Sequence, residues 1–147
     1  MPVLIRSAVE ADLPALLALY AELHPADPTL TPAVALRAWR AIEAQAGRTV
    51  LLAEVDAVAV GTVDCTTLPN LTRGARPFML VENVVVTASR RRSGIGSALL
   101  DATVALARET DCYKIQLLSR GTRLDAHAFY EARGFQTVAK GYRLYLD

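Results

Sequence analysis

The sequence lacks several features that would fix its class at once. Only two cysteines occur in 147 residues, Cys65 and Cys112, far apart and outside any Cys-x-x-Cys or Cys/His cluster. That usage fits a reduced intracellular protein better than a disulfide framework or a zinc site, so no metal is expected. No run approaches the roughly 18 apolar residues that span a bilayer. Residues 1–6 lack the charged region and long apolar stretch of a signal peptide. A cytoplasmic protein without a membrane partner is therefore expected. Charge of one sign is missing too: 16 basic against 15 acidic side chains leave +1. Nucleic-acid binding ordinarily needs a domain-wide basic field, so no nucleic-acid partner is expected and any basic function must be local. Repeats, low-complexity tracts and linkers are absent as well.

What is present reads as one globular domain over residues 1–147, with 52% hydrophobic and 21% charged residues. Residues 3–6 are a short strand candidate. Leu13, Leu16, Leu17, Tyr20 and Leu23 recur at helical spacing within residues 9–23. Pro25 and Pro28 then break that helix, and Pro32 opens a second through about Gln45, ended by Gly47. Residues 48–54 and 58–67, rich in Val and Thr and separated by Asp56 and Ala57, predict a hairpin. Residues 69–77 form a loop, and residues 78–87 an almost continuous apolar strand interrupted by Glu82 and Asn83, as expected of a strand covered on both faces. A helix from Ile95 to Glu109 follows, then a strand over 113–118, a helix over 124–133 ended by Gly134, and strands over 135–138 and 142–146. The pattern is mixed α/β.

The most informative stretch is Arg90-Arg91-Arg92-Ser93-Gly94-Ile95-Gly96-Ser97, where the apolar strand gives way to a helix. The first amides of a helix have no partner within it, and the helix dipole places partial positive charge there. Glycines let an anion approach the backbone, and neighbouring arginines add charge-assisted contacts. The stretch therefore predicts a site for a phosphorylated ligand. A P-loop would need a Gly-Lys-Ser/Thr ending, which is missing, and a dinucleotide fingerprint would need a third glycine where Leu99 stands.

Arg91-Arg92-Ser93-Gly94-Ile95-Gly96 resembles the Arg/Gln-x-x-Gly-x-Gly/Ala signature of the GNAT family of N-acetyltransferases. Phe129-Tyr130-Glu131-Ala132-Arg133-Gly134-Phe135 resembles that family's FYxxxGF segment. Cys112-Tyr113-Lys114-Ile115 resembles the corresponding strand of glucosamine-phosphate acetyltransferases and related small bacterial members. The order of elements is similar over essentially the whole chain. The resemblance implies a mixed, mostly antiparallel central sheet flanked by about four helices, and acetyl-CoA as co-substrate. Backbone amides of Arg91, Arg92, Ser93, Gly94, Ile95, Gly96 and Ser97 would cradle the pyrophosphate. The backbone of Val84, Val85 and Val86 would pair with the pantetheine arm as an added strand does.

Acetyl transfer to an amine needs an uncharged nucleophile, and an alkylamine of pKa about 10.4 is mostly protonated at neutral pH. Glu82, the sole acidic residue of the 78–87 strand, is the candidate base, and its position resembles the catalytic glutamate of many family members. The alternative is a structural carboxylate bonded to Arg73, Arg76 or backbone. Tyr130 corresponds to the family tyrosine that donates a proton or hydrogen bond to the departing sulfur; its alternative is core packing. A backbone N–H near Val84 would stabilise the oxyanion. The acceptor expected is an amine of a small molecule or a peptide, attacking directly in a ternary complex, and the resemblance leaves a homodimer open. A non-catalytic acyl-CoA-binding regulatory module is the alternative function.

Overall fold

The computed structural model describes residues 2–119 and 124–147. They fall into two compact units, one running to Gln116 and one from Leu117 onward.

The first unit is built on a sheet of five strands in the spatial order β1-β2-β3-β4-β5: β1 Leu4–Ser7, β2 Arg48–Val55, β3 Val58–Leu68, β4 Phe78–Val86 and β5 Ile115–Leu117. The first three pairings are antiparallel. At the far edge the bonds Tyr113 N–Pro77 O and Met79 N–Lys114 O, each 3.0 Å, advance in the same direction along both segments. That makes the sheet mixed. β2 and β3 are joined by Asp56 and Ala57, whose φ of 51° and 62° are those of a two-residue type I′ turn. The expected hairpin is thus present.

Helices α1 Leu13–Leu23 and α2 Pro32–Ala44 cover one face. The Thr31 hydroxyl caps α2 by accepting from Val34 N at 3.3 Å, with Pro32 at the first helical position. Leu16, Leu19 and Trp39 bury against Val50, Leu52 and Val85. Helix α3 Ile95–Glu109 covers the opposite face through Ile95, Leu99, Leu100, Thr103 and Ala107. It lies close because β3 carries Gly61: a Cβ there would stand 3.0 Å from Leu99 Cδ1 and 3.1 Å from Val85 O. Burial on both faces explains why β4 reads as an almost continuous apolar run rather than as alternation.

β4 is irregular at one point. Asp64 pairs with Glu82 and Thr62 with Val85, so two residues of β4, Asn83 and Val84, stand opposite Val63 alone. Asn83 has φ 54°. This β-bulge shifts the strand's alternation by one residue, putting Glu82 and Val85, three apart, on the face of α1 and α2.

In the second unit, α4 Leu124–Ala132 ends at Gly134, which has φ 92°. Strands expected over 135–138 and 142–146 are not formed. Val138, Tyr142, Leu144, Tyr145 and Leu146 are exposed, and an alternating apolar pattern makes a strand only where a neighbouring edge pairs with it. β5 is shorter than expected, and Cys112 is half-buried in the turn before it, its amide bonded to Ala107 O. Among the described residues no helix is long and apolar enough to cross a membrane.

Candidate functional site

Two features of the first unit share β4. Upstream of the bulge, a cavity of about 300 Å³ is lined by Gln45, Arg48, Asp64, Thr66, Leu80 and Glu82, with Leu68 and Asn83 completing its wall. Asp64 is 3% exposed. A buried carboxylate needs a partner, and Arg48 supplies one in fork geometry, with Nε–Oδ1 at 3.0 Å and Nη2–Oδ2 at 2.6 Å. A third arm of the same guanidinium donates to Gln45 Oε1 at 3.0 Å. The Asp64 carboxylate raises the Arg48 pKa. For Tyr20 of α1, burial, reinforced by the Asp64 carboxylate, pushes the phenol up to about 12.

Glu82 is exposed, and among the described residues it makes no hydrogen bond or ion pair. The arginines considered as its structural partners are engaged elsewhere. Arg73 stacks over the Tyr113 ring at 5.4 Å, and Arg76 donates to Asp111 and to Cys112 O at 3.3 Å. With Arg48 satisfied by Asp64, the carboxylate of Glu82 is the acidic group left to the cavity.

Downstream of the bulge, β4 runs into the arginine and glycine turn. Val85 is buried in the core and Val84 and Val86 are half-buried, with Val86 paired to Gly61. A short 3₁₀ turn, Ala88–Arg90, is closed by Arg90 N–Thr87 O at 3.0 Å. Arg91 Nε donates to Val86 O at 3.2 Å, and the Ser93 hydroxyl to Arg90 O. Arg92 and Gly94 have φ of 61° and 85°. The left-handed conformation at Gly94 directs the chain into α3, where the first helical bond is Ala98 N–Gly94 O at 3.0 Å. The amides of Ile95 and Gly96 precede that bond, at the positive end of a 15-residue helix. Ile95 is buried, so only its backbone can serve a ligand, whereas Arg91, Arg92 and Ser93 are exposed.

The turn residues from Arg91 to Ser97 are therefore contiguous, and Glu82 lies on the strand that feeds them. Tyr130 belongs to the second unit, where it is 9% exposed, with ring centroids of Phe129 and Phe135 at 5.5 and 5.8 Å. Sequence reasoning missed Asp64, Arg48 and the bulge. An aspartate in the middle of Val60-Gly61-Thr62-Val63-Asp64-Cys65 was the available signal, because a buried charge in an apolar strand demands a partner. Among the described residues no group of His, Cys, Asp or Glu is arranged to hold a metal.

Comparison with known proteins bears on the family and the fold. A curated relative, glucosamine 6-phosphate N-acetyltransferase of Trypanosoma brucei brucei, is 36% identical over 85 residues, 58% of this chain and 56% of that protein. The match thus spans little more than half of that relative's length. A solved structure from Agrobacterium tumefaciens str. C58, given as a candidate acetyltransferase, superposes with TM-score 0.93 at 38% identity, covering 97% of this chain and 99% of that one. A transcriptional regulator from Bacillus halodurans C-125 superposes with TM-score 0.88 at 28% identity over 99% and 100% of the two chains. The family profile described as "Acetyltransferase (GNAT) family" matches residues 13–135. With that match covering most of its length, the chain belongs to the GNAT acetyltransferase family.

Proposed function

We propose that this protein moves an acetyl group from acetyl-CoA to a primary amine of a small molecule or peptide, by direct attack in a ternary complex. The observation that carries the reading is the carboxylate of Glu82, without a hydrogen bond or ion pair among the described residues, in the cavity wall and on the strand that leads into the helix-opening glycine turn. Residues 1–147 are read as one catalytic domain, supported by a family match that includes parts of both units.

The residues fit the co-substrate. A diphosphate needs several backbone donors, a positive helix end and no obstructing Cβ. The turn from Arg91 to Ser97 offers these, with open space where a Cβ of Gly94 would stand. The Val84, Val85 and Val86 backbone, beside a bulge that bends the strand, suits the extended arm. Glu82 takes a proton from the acceptor's ammonium and restores its lone pair. Nitrogen then bonds to the acyl carbon, the oxyanion is met by an amide near Val84, and the carbon–sulfur bond breaks. Tyr130 gives a hydrogen bond or proton to the leaving sulfur, a role that rests on the resemblance of its segment. From phenol to thiolate full transfer is uphill by about 2 kcal/mol, so a hydrogen bond to the developing charge is sufficient.

The test is steady-state thiol release with a panel of amines, including glucosamine 6-phosphate and aminoglycosides, for the wild type, Glu82→Gln and Tyr130→Phe. Turnover that collapses in Glu82→Gln supports the reading. Calorimetric CoA binding without turnover on any amine would favour the alternative, a regulatory CoA-binding module, to which the regulator from Bacillus halodurans gives some weight.

A further inference from the structure

An exposed glutamate near the end of a helix is ordinarily solvated. Glu22, in the last turn of α1, is not left to water. Its Oε2 accepts from the Thr87 hydroxyl at 2.7 Å and its Oε1 from the Ala88 amide at 2.9 Å. One carboxylate thus spends both oxygens on two consecutive residues, 65 and 66 positions away, where β4 becomes the cofactor turn. These two bonds, with the proximity of Arg91, hold the Glu22 carboxyl below the usual carboxylate range.

The other bonds described for this turn are of two kinds. Thr87 N–Val60 O at 2.8 Å ties the end of β4 to β3. The rest are local: Arg90 N to Thr87 O, Arg91 Nε to Val86 O, and Ser93 Oγ to Arg90 O. Local bonds fix the curvature of a turn but not its attitude to the rest of the fold. That attitude has to come from a distant anchor, and Glu22 is placed to provide it. α1 is itself a firm base, because Leu16 and Leu19 are buried against the sheet.

We propose that Glu22 is a positioning residue for acetyl-CoA: by bracketing Thr87 and Ala88 against α1, it sets the direction in which the amides from Arg91 to Gly96 are presented. The inference rests on reading that turn as the diphosphate site. It assigns Glu22 to affinity for acetyl-CoA, with turnover at saturation left to Glu82.

Four variants test it: Glu22→Ala, Glu22→Gln, Thr87→Val, and the double variant Glu22→Ala/Thr87→Val. Glu22→Ala is expected to raise both KM for acetyl-CoA and the calorimetric Kd for CoA about tenfold, the scale of a charge-assisted hydrogen bond, with kcat within about twofold. Glu22→Gln, which keeps an acceptor oxygen, recovers part of the loss. Thr87→Val is affected in the same direction, and the double variant is less impaired than the product of the two single effects. A purely structural role would lower Tm and the folded fraction while leaving KM unchanged, and that outcome overturns the proposal. Hydrogen exchange without ligand separates this failure from failure of the functional reading. Faster exchange at the amides of residues 88–96 in Glu22→Ala supports the bracket even if the wild type neither binds CoA nor releases thiol. Unchanged exchange in both Glu22→Ala and Thr87→Val removes it.

Discussion

The two halves of β4 differ in chemistry although they are one strand. Upstream of Asn83, the strand contributes Leu80 and Glu82 to a cavity whose other ionic groups, Asp64 and Arg48, neutralise one another. Downstream, Val84 to Val86 are apolar, and the polarity comes from backbone amides and arginines after the strand has ended. Among the described residues, one half offers a carboxylate with no hydrogen bond or ion pair, the other the opening amides of α3. These are the environments that the proposed ammonium and diphosphate ligands require, and the bulge separates them by a single residue.

The largest effect that would break this contrast is on turnover. Glu82→Gln is expected to lower kcat about a hundredfold or more, the usual scale of general-base catalysis, with CoA affinity unchanged by calorimetry. A joint loss of both would mean that the two halves do not act separately. Next comes Asp64→Asn, which leaves Arg48 beside a neutral amide in a buried setting. A loss of about 3 kcal/mol is expected from urea unfolding, at the low end for buried pairs because Arg48 keeps partial exposure. On the downstream half, Gly94→Val forces a β-branched residue to φ 85° and should weaken CoA binding about tenfold while kcat at saturation holds.

Two smaller effects sharpen the picture away from the candidate site. In β1, Arg6 bonds the Asp12 carboxylate through both Nη atoms at 2.7 Å and also meets Glu54. The Arg6 guanidinium holds the Asp12 carboxyl below its usual range. A carboxyl depressed on folding contributes stability that is complete above its ordinary value, about 4, and is lost as pH falls through the lower folded value. Asp12→Asn should remove that part of the acid slope in thermal melts between pH 5 and about 2 and leave CoA binding untouched. Finally, burial pushes the Cys65 thiol up to about 11, while Cys112 is only half-buried. At pH 8 a thiol reagent should label Cys112 in the native protein well before Cys65, as mass spectrometry of the labelled chain would read.

Much of this was legible in the order of residues. The helical stripe of Leu13, Leu16, Tyr20 and Leu23, the proline at the start of α2 and the Asp56-Ala57 hairpin all express local preferences, and each became the expected element. The glycine turn was legible for the same reason, since Gly94 marks a left-handed residue before a helix. What escaped depends on partners distant in sequence. Leu19, absent from the expected stripe, is among the most buried residues of α1 because it joins the cluster of Leu16, Trp39, Val50, Leu52 and Val85. Asp64 meets Arg48 only through the β2–β3 register, and Glu22 meets Thr87 only once α1 lies on β4. The final apolar segment shows the reverse: a strand-like pattern that finds no pairing in the described chain.

The Asn83 bulge also makes position along β4 a matter of counting. If β4 kept all its residues but ran straight, without the bulge, every side chain after Asn83 would exchange sides: Val86 would turn toward α1 and α2, and Val85 toward α3. The turn that follows would leave the sheet rotated by half a pleat. Shortening β4 by one residue at Asn83 would instead regularise the ladder and keep Val85 opposite Thr62, so the bulge is what lets the extra residue sit in the strand without throwing the downstream half out of frame.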